Sequence, residues 1–393
     1  MRIAFFASLR FHAPLLEPVQ EAIGDRAETL LAGDRGAIAR FRPHVVAMAT
    51  SAHLEYFRRA LPGAFVANVR HGVNAKRGLF RLPRRSSARR FDAVCVGDEL
   101  KVAHYERAGA TPGAFWPTGY PPLDPIFRDD KPPRLPLDPS RPTVLYAPTW
   151  NLGLTSATML GERLVDLVRA QAPDVNVLIK PHPVIGDWRP RWMDAWARLE
   201  ARHPRVHLVR DTHAAVAPYL LASQVLISDA SSVVFEFAAL DRPIVLVTNP
   251  RHAADPAWAS DDIVWSWRDI GHEIHSPDEL PAAVALALRD PDARSEKRLH
   301  YARILFNQFT DGRSAERVAV RLLEAGGHVA TGAHTPAPRP PLATFLWHDL
   351  RVRIREHAMI RRAALGPLEA VRLRVRARWW RALAAAPLLE LGP

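Results

Sequence analysis

Apolar residues recur along the chain in short blocks, and segments with helical spacing separate them. Early strand-like blocks at residues 3–8, 44–50, 64–69 and 93–97 alternate with helix-like segments near 13–24, 51–60 and 98–108. Later strands are expected near 143–148, 175–180, 206–210, 225–229 and 243–248, followed by helices near 278–289, 294–308 and 313–325. Strands that alternate with helices predict βαβ units and parallel sheets.

Two proline-rich stretches divide this pattern. Residues 117–142 contain so many prolines that we expect neither helix nor strand to persist there, and a Pro, Gly and Thr cluster spans 326–342. The 393 residues, 48% of them hydrophobic, suffice for two domains. We therefore predict an α/β protein with two doubly wound Rossmann-like domains that face a cleft. The predicted parts are residues 1–116, linker 117–142, residues 143–325, linker 326–342 and a basic helical tail at 343–393.

The segment 225–240 is the most informative stretch of the second domain. Its apolar run stops at small polar residues and then restarts with helical spacing, which predicts a strand that leads directly into a helix. Ser231 and Ser232 would lie at the start of that helix, where hydroxyls, backbone N–H groups and the helix dipole favour an anion such as phosphate. An ordinary capped helix that binds nothing has the same pattern.

Two more apolar runs end in polar residues, at 144–150 and 177–183. Parallel α/β sheets bind ligands beyond the carboxyl ends of their strands, so three such ends predict one site. Its candidate phosphate-binding residues are Thr149, Lys180, Ser228, Asp229, Ser231 and Ser232. For Lys180, a purely structural role at the end of a strand is the favoured alternative.

Two further side chains belong to this predicted site. His182 lies between two prolines, which restrict the backbone and present the imidazole in a fixed direction towards a phosphate oxygen. Glu236 follows Ser232 by about one helical turn, where its carboxylate would accept ribose hydroxyls. A solvated helix position is the alternative for Glu236.

A candidate general base comes from the first domain. His71 lies in the loop 68–78, beside Gly72 and several basic residues, after a predicted strand. Its ordinary pKa near neutrality suits proton transfer. The alternative is a surface histidine in a basic loop.

Charge and composition narrow the class of protein. The net charge is +12, and residues 340–393 contain ten Arg against four acids, a surplus of six that supplies half of it. An anionic partner follows, and the arginines interspersed with apolar residues, near Trp379 and Trp380, favour peripheral contact of 343–393 with an anionic membrane. A helix packed on the other domains or a disordered end is the alternative. We expect no nucleic acid as partner, because no reader motif or stacking platform is present.

The sequence also argues against disulfides, metal sites, a signal peptide and a membrane span. The single cysteine, Cys95, lies in a strand-like run, so neither disulfides nor a cysteine zinc site are expected. The histidines lack ligand spacing, so no metal or other cofactor is expected, and nucleotide-binding and hydrolase motifs of the common types are missing. The first residues form a strand instead of a signal peptide, and no apolar run is long enough for a membrane span. We expect a cytoplasmic protein.

The ordered motifs resemble those of the CDP-glycerol glycerophosphotransferases, the teichoic-acid and capsule-polymer enzymes of GT-B architecture. The resemblance runs from about residue 65 to 325. It rests on His71–Gly72, Gly119–Asp124, Tyr146–Trp150, Lys180–Pro183, Ser228–Ser232 and Asp311–Gly312.

The resemblance implies roles for these residues. His71 would activate the acceptor hydroxyl, and His182 with Ser231 and Ser232 would hold the donor phosphates. Asp311 and Gly312 match a family position near the donor, and Glu236 stands where the family often has Asp.

The reaction implied by the resemblance is attack by an acceptor hydroxyl on CDP-glycerol or a related CDP-alditol, with release of CMP. The CDP-activated donor is a substrate, and the acceptor would be lipid-linked or polymeric. A sugar-nucleotide glycosyltransferase or a UDP-sugar 2-epimerase of the same architecture remains the alternative, because its phosphate site would have the same pattern.

Overall fold

The computed structural model describes residues 1–70, 72, 90–107, 109, 111–255, 258–336, 340–343, 345–347, 349, 350 and 352. Twelve strands lie in the described part of the chain. They are β1 Arg2–Phe6, β2 Glu28–Ala32, β3 Val45–Met48, β4 Phe65–Asn68, β5 Ala93–Val96, β6 Ala114–Pro117, β7 Thr143–Tyr146, β8 Asn176–Ile179, β9 Val206–Leu208, β10 Val225–Ser228, β11 Ile244–Val247 and β12 His272–Ile274.

The strands form two parallel sheets of six. The first has the order β2-β1-β3-β4-β5-β6 and the second β12-β11-β10-β7-β8-β9. In the second sheet the strand order reverses between β7 and β10, which pair directly. Such a reversal opens a crevice at the carboxyl ends of the strands, where α/β proteins bind ligands.

Helices connect the strands. The α-helices of the described residues are α1 Ala13–Ile23, α2 Arg35–Phe41, α3 Leu54–Ala60, α4 Glu99–Arg107, α5 Asp124–Phe127, α6 Ala157–Leu160, α7 Leu164–Arg169, α8 Pro183–Trp188, α9 Pro190–Arg202, α10 Ala217–Leu221, α11 Val233–Ala238, α12 Ile263–Ser266, α13 Leu280–Arg289, α14 Ser295–Phe306 and α15 Ser314–Ala330. Separate apolar cores cover each face of each sheet. The predicted α/β class with two parallel sheets is therefore confirmed.

Three observed strands were missed by the sequence reasoning: β2, β6 and β12. Residues of β2 and β6 are half-buried or exposed, and β12 has one buried residue. All three lie at the edges of their sheets. Edge strands need not be apolar on both faces, so the apolar runs that identified the central strands are missing here.

The last long helix crosses back to the first domain. The prediction placed residues up to 325 in the second domain, whereas Val318 and Leu322 of α15 pack with Ile3 and Val45 against the first sheet. The helix also continues through Gly326, which was expected to begin a linker. A side chain at Gly326 would collide with Met1, so this glycine permits close packing and does not end the helix.

The proline-rich segment 117–142 is more ordered than expected. It contains a 3-10 helix at Pro121–Leu123 followed by α5, each with proline in its first turn, where a missing N–H costs nothing. The Asp124 carboxylate accepts hydrogen bonds from Ser314 N at 2.9 Å and Ala315 N at 2.8 Å, at the start of α15. The chain passes between the domains twice, in the segment 117–142 and again just before α15. The Asp124 hydrogen bonds connect these two segments.

Candidate active site at the switch point of the second sheet

The three polar strand ends predicted to converge do so. Strand β7 pairs with β10 on one side and with β8 on the other, and all are parallel. The turn after β10 and the loop after β7 are tied together by Asp229. Its buried carboxylate accepts from Thr149 N at 2.8 Å and from Ser156 N and Oγ, each at 2.7 Å.

Four of the predicted phosphate ligands make hydrogen bonds within the protein. Ser228 is fully buried and donates its hydroxyl to Ala147 O at 2.7 Å. Both carboxylate oxygens of Asp229 are used within the protein, and the backbone N–H of buried Thr149 is one of their donors. Lys180 donates from Nζ to Thr212 O at 2.8 Å, and burial lowers its pKa to about 8. Each of these four residues therefore has a structural contact at the strand ends, and their predicted contact with phosphate stays a prediction.

Ser231 and Ser232 lie where the turn meets α11. Ser232 is the residue preceding the helix and is half-buried, whereas the Ser231 hydroxyl accepts from Val233 N at 3.4 Å. The helix has only six residues, so its dipole is smaller than the long apolar pattern led us to expect. Anion binding here depends mainly on the local hydroxyls and backbone N–H groups.

Glu236 is buried in the site and is not solvated. It is 6% exposed, and burial raises the pKa of its carboxyl to about 7, against the opposing effect of a hydrogen bond with Ser232. The carboxyl is therefore poised to change its protonation state near neutral pH. Its contact with Ser232 places it next to the predicted phosphate position.

His182 forms the cap of α8. Its Nδ1 accepts a hydrogen bond from Val184 N at 3.2 Å, and Pro183 begins the helix. A neutral imidazole that accepts at Nδ1 carries its proton on Nε2. The flanking prolines and this cap therefore fix a ring whose Nε2 is the donor, as the phosphate-binding prediction requires.

The two lobes face each other at this histidine. The His182 ring centroid lies 6.5 Å from that of Trp150, in the same lobe, and 6.4 Å from that of Phe11, which follows β1 in the first lobe. The carboxyl end of the first sheet thus lies opposite the carboxyl end of the second. A donor held at β7 and β10 would be within the cleft.

His71 lies outside the described residues, but its two neighbours are described. Arg70 and Gly72 line a cavity with Tyr120 and with Phe306 of α14, so this strand end opens between the lobes. Burial and then the Glu236 charge raise the pKa of Tyr120, whereas the Arg70 charge acts to lower it. Tyr120 is thus within electrostatic reach of both the first-lobe arginine and the second-lobe carboxyl.

Asp311 and Gly312 lie at the joint between the lobes, in the turn before α15. The Asp311 carboxylate accepts from Arg313 N at 3.2 Å and pairs with Arg317. Gly312 O accepts from Arg128 at 3.1 Å, and Gly312 has a φ of +70°, which favours glycine. These contacts make the motif part of the joint between the lobes, and its expected position near the donor stays a prediction.

Arg268 was missed by the sequence reasoning. It is almost buried and donates to Glu273 Oε1 at 3.0 Å, to Thr248 Oγ1 at 2.6 Å and to Asp229 O at 3.3 Å. It supports the turn after β10 from behind. A lone arginine between aromatic and acidic residues gives no motif, so only the fold reveals this role.

A family model provides the decisive comparison. The model described as CDP-Glycerol:Poly(glycerophosphate) glycerophosphotransferase matches residues 46–324. The chain belongs to this family. The predicted enzyme class, a CDP-glycerol glycerophosphotransferase of wall-polymer synthesis, is confirmed at this level. Comparison with curated protein sequences gives no match.

Solved structures similar to this glycerophosphotransferase show the fold. The wall teichoic acid polymerase TagF has a TM-score of 0.66 at 14% identity, over 85% of this chain and 90% of that chain. A putative UDP-N-acetylglucosamine 2-epimerase from Listeria monocytogenes has a TM-score of 0.58 at 12% identity, over 87% and 99%. The S. aureus MnaA–UDP structure has 0.55 at 12%, over 86% and 98%. The GT-B-like architecture is confirmed.

The described residues lack two features, a cluster of metal ligands and a membrane-spanning helix. They contain no group of three or more His, Cys, Asp or Glu side chains that is arranged to hold a metal ion. Within the same residues, each helix is too short or too polar to cross a bilayer. Nearly all of the basic tail, 343–393, lies outside the described residues.

Proposed function

We propose that this family member transfers a glycerol-phosphate unit, or a related alditol-phosphate unit, from a CDP-activated donor to an acceptor hydroxyl. The observation that carries the proposal is the fixed imidazole of His182, which follows β8 at the carboxyl end of the second sheet and lies opposite Phe11 of the first lobe. His182, Ser231 and Ser232 would hold the donor phosphates, and the Glu236 carboxylate would accept a hydrogen bond from a ribose hydroxyl.

In the proposed reaction the acceptor oxygen attacks the β-phosphorus of the donor. The new P–O bond forms as the bond between the β-phosphorus and the bridging oxygen breaks, and that oxygen leaves with CMP. His71 takes the proton of the acceptor hydroxyl. The Nε2 proton of His182 stabilises negative charge on the phosphoryl oxygens, and such fixed donors are an effective source of catalysis in phosphoryl transfer.

Donor identity is the direct test. Purified protein with CDP-glycerol and glycerol 3-phosphate as acceptor should release CMP, whereas UDP-N-acetylglucosamine should be neither hydrolysed nor epimerised. A thermal-shift comparison of CDP, UDP and GDP should give the largest increase in Tm with CDP. Turnover of the UDP-sugar with no CMP release would replace this proposal by the epimerase or glycosyltransferase alternative.

The location of the enzyme is a separate proposal. The surplus of arginine in 340–393 supports peripheral binding to an anionic membrane surface at the cytoplasmic face, where a lipid-linked polymer would be the acceptor. The full chain should co-sediment with vesicles that contain phosphatidylglycerol and should fail to do so with phosphatidylcholine alone. Unchanged binding after deletion of 343–393 would exclude the tail as the anchor.

A further inference from the structure

The turn Asp229–Ser232, which leads from β10 into α11, is anchored on two sides. On the side of β7, the Asp229 carboxylate accepts from the loop that contains Thr149 and Ser156. On the side of β11, Arg268 donates from Nη1 to the main-chain oxygen of Asp229 at 3.3 Å. Asp229 is therefore held through its side chain in one direction and through its backbone in another.

The hydrogen bond to Asp229 O sets the direction of the next peptide N–H. A trans peptide group is planar, so its C=O and N–H point in opposite directions. Because Asp229 O is directed at Arg268, the N–H of Ala230 points away from the arginine. Ser231 comes next, and its hydroxyl accepts from Val233 N at 3.4 Å. A rotation of this one peptide group would displace both serines of the predicted phosphate-binding turn.

Arg268 is itself held in place by groups from the next two strands. It is 9% exposed and begins a short 3-10 helix, Arg268–Ile270. Its Nε donates to Glu273 Oε1 of β12 at 3.0 Å, and its Nη2 donates at 2.6 Å to Oγ1 of Thr248, directly after β11. Thr248 in turn donates to Glu273, which closes a ring of three side chains. All three guanidinium nitrogens are thus hydrogen-bonded in a planar fork, a geometry that lysine cannot supply.

Stability alone does not account for this arginine. Removing a charge from water is costly, and a buried ion pair seldom stabilises a fold more than apolar side chains of the same volume would. Burial lowers the pKa of Arg268, and the charge of Glu273 offsets only part of that effect. The hydrogen bond from Arg268 to the turn gives a functional reason for placing a charge here.

We propose that Arg268, oriented by Thr248 and Glu273, is a positioning residue for the donor. It holds the Asp229–Ser232 turn in the orientation in which the turn binds the phosphate groups of the donor. This inference rests on the function proposed above. Arg268 acts through the backbone of the turn and does not itself contact the donor.

The test measures the Kd for CDP by calorimetry and the KM for CDP-glycerol in CMP release. Arg268→Met should raise both constants by about tenfold or more, as expected for loss of a hydrogen bond from a charged donor, and should leave the KM for glycerol 3-phosphate unchanged. Arg268→Lys keeps the charge but not the three hydrogen bonds, so it should resemble Arg268→Met. Ethylguanidinium, which matches the part of the side chain missing in Arg268→Ala, should restore CDP affinity to that variant.

Arg298→Met is the matched control. Arg298 is 1% exposed, pairs with Asp241 at 2.8 Å and donates to the backbone oxygens of Asp241 and Pro291, so its loss removes the same kinds of bond beyond the other end of α11. This variant should lower the Tm but leave the Kd for CDP unchanged. Thr248→Val removes one acceptor of Arg268 and keeps the shape of the side chain, so it should raise the Kd for CDP by a smaller factor. It provides the test if Arg268→Met does not fold.

An unchanged Kd for CDP in both Arg268→Met and Thr248→Val would overturn the inference alone. A wild-type Kd in Arg268→Lys would also overturn it, because only the charge of the side chain would then matter. Equal weakening of CDP binding by Arg298→Met would reduce the role of Arg268 to general stability. A wild type that binds no CDP and releases no CMP from CDP-glycerol would overturn the proposed function and this inference together.

Discussion

Glu236 and Asp229 show how neighbouring carboxyl groups take different roles in one site. Asp229 accepts three hydrogen bonds from Thr149 and Ser156, so its role is to join two loops. Glu236 is buried with a hydrogen bond to Ser232, and its pKa is raised to about 7. Burial raises the pKa of both carboxyl groups, but their hydrogen-bond partners separate a carboxylate that joins two loops from one that contacts the predicted phosphate-binding turn.

Replacement of Glu236 by Gln should change how stability depends on pH. The folded state binds the Glu236 proton more tightly than the unfolded chain does, so in the wild type this residue lowers the free energy of unfolding as pH rises from about 4.5 to about 7. Relative to Glu236→Gln, the wild type should lose up to about 3 kcal/mol across that window. Urea titrations at pH 5 and pH 7.5 measure this.

The matched control is Glu296→Gln, on the exposed face of α14. Its free energy of unfolding should follow that of the wild type at both pH values. Parallel pH profiles for Glu236→Gln and the wild type would show that the Glu236 carboxyl titrates normally.

His182 can be tested with a substitution that preserves its cap. Asparagine is a good helix-capping residue, so His182→Asn keeps an acceptor for Val184 N but lacks the Nε2 donor. Turnover of CDP-glycerol should fall by roughly 100-fold or more, as when one transition-state donor is removed, while Tm stays close to the wild-type value. Full turnover in this variant would exclude His182 from catalysis.

At the residue scale, the sequence predicted which strand ends form the candidate site, but it did not predict the hydrogen-bond partners of the side chains there. The apolar runs before Thr149, Lys180 and Ser228 showed which strand ends would meet, because periodicity reports burial. It did not show that the side chains of Ser228 and Lys180 hydrogen-bond to backbone carbonyls of the protein. Hydrogen-bond partners distant in sequence, such as Ala147 for Ser228 and Thr212 for Lys180, become visible only once strands are paired.

At the scale of elements, the joint between the lobes depends on Asp124. This residue caps α15 from 190 residues away in sequence, and Gly119 permits the close approach. A side chain at Gly119 would come within 2.4 Å of Ser314 Oγ, and the φ of +84° also favours glycine. The motif Gly119–Asp124 was recognised in the sequence, but its partner in α15 was not, because nothing local indicates which distant helix an aspartate caps.

Asp124→Ala should therefore destabilise the protein more than an ordinary cap substitution. It removes both acceptors for Ser314 N and Ala315 N in a buried setting, so we expect a loss of about 2–3 kcal/mol in the free energy of unfolding. Asp34→Ala is the matched control, because the exposed Asp34 caps α2 with two hydrogen bonds of the same kind. It should cost clearly less than Asp124→Ala, because the Asp34 carboxylate is exposed to solvent. Equal losses in urea denaturation would contradict a special role for the joint.

At the scale of the whole molecule, two lobes present the carboxyl ends of their sheets to one cleft. The alternation of strands and helices predicted both sheets, because buried parallel strands give continuous apolar runs. It did not predict that α15 returns to the first lobe, since the apolar face of a helix does not specify which sheet it covers.

The proposed chemistry uses protein donors and needs no resident metal ion. If this is correct, an excess of EDTA should leave CMP release from CDP-glycerol within about twofold of the untreated rate, because fixed protein donors stabilise the transition-state charge. Magnesium added back should have no further effect. A large loss with EDTA that magnesium restores would show that a metal ion takes part.

The most direct test of the account is whether the first lobe supplies the base for a donor held by the second. CDP-glycerol binding and CMP release should be measured side by side for the wild type and His71→Ala. We predict an unchanged Kd for CDP-glycerol and a loss of roughly 100-fold or more in acceptor-dependent CMP release. Full turnover by His71→Ala would contradict the assignment.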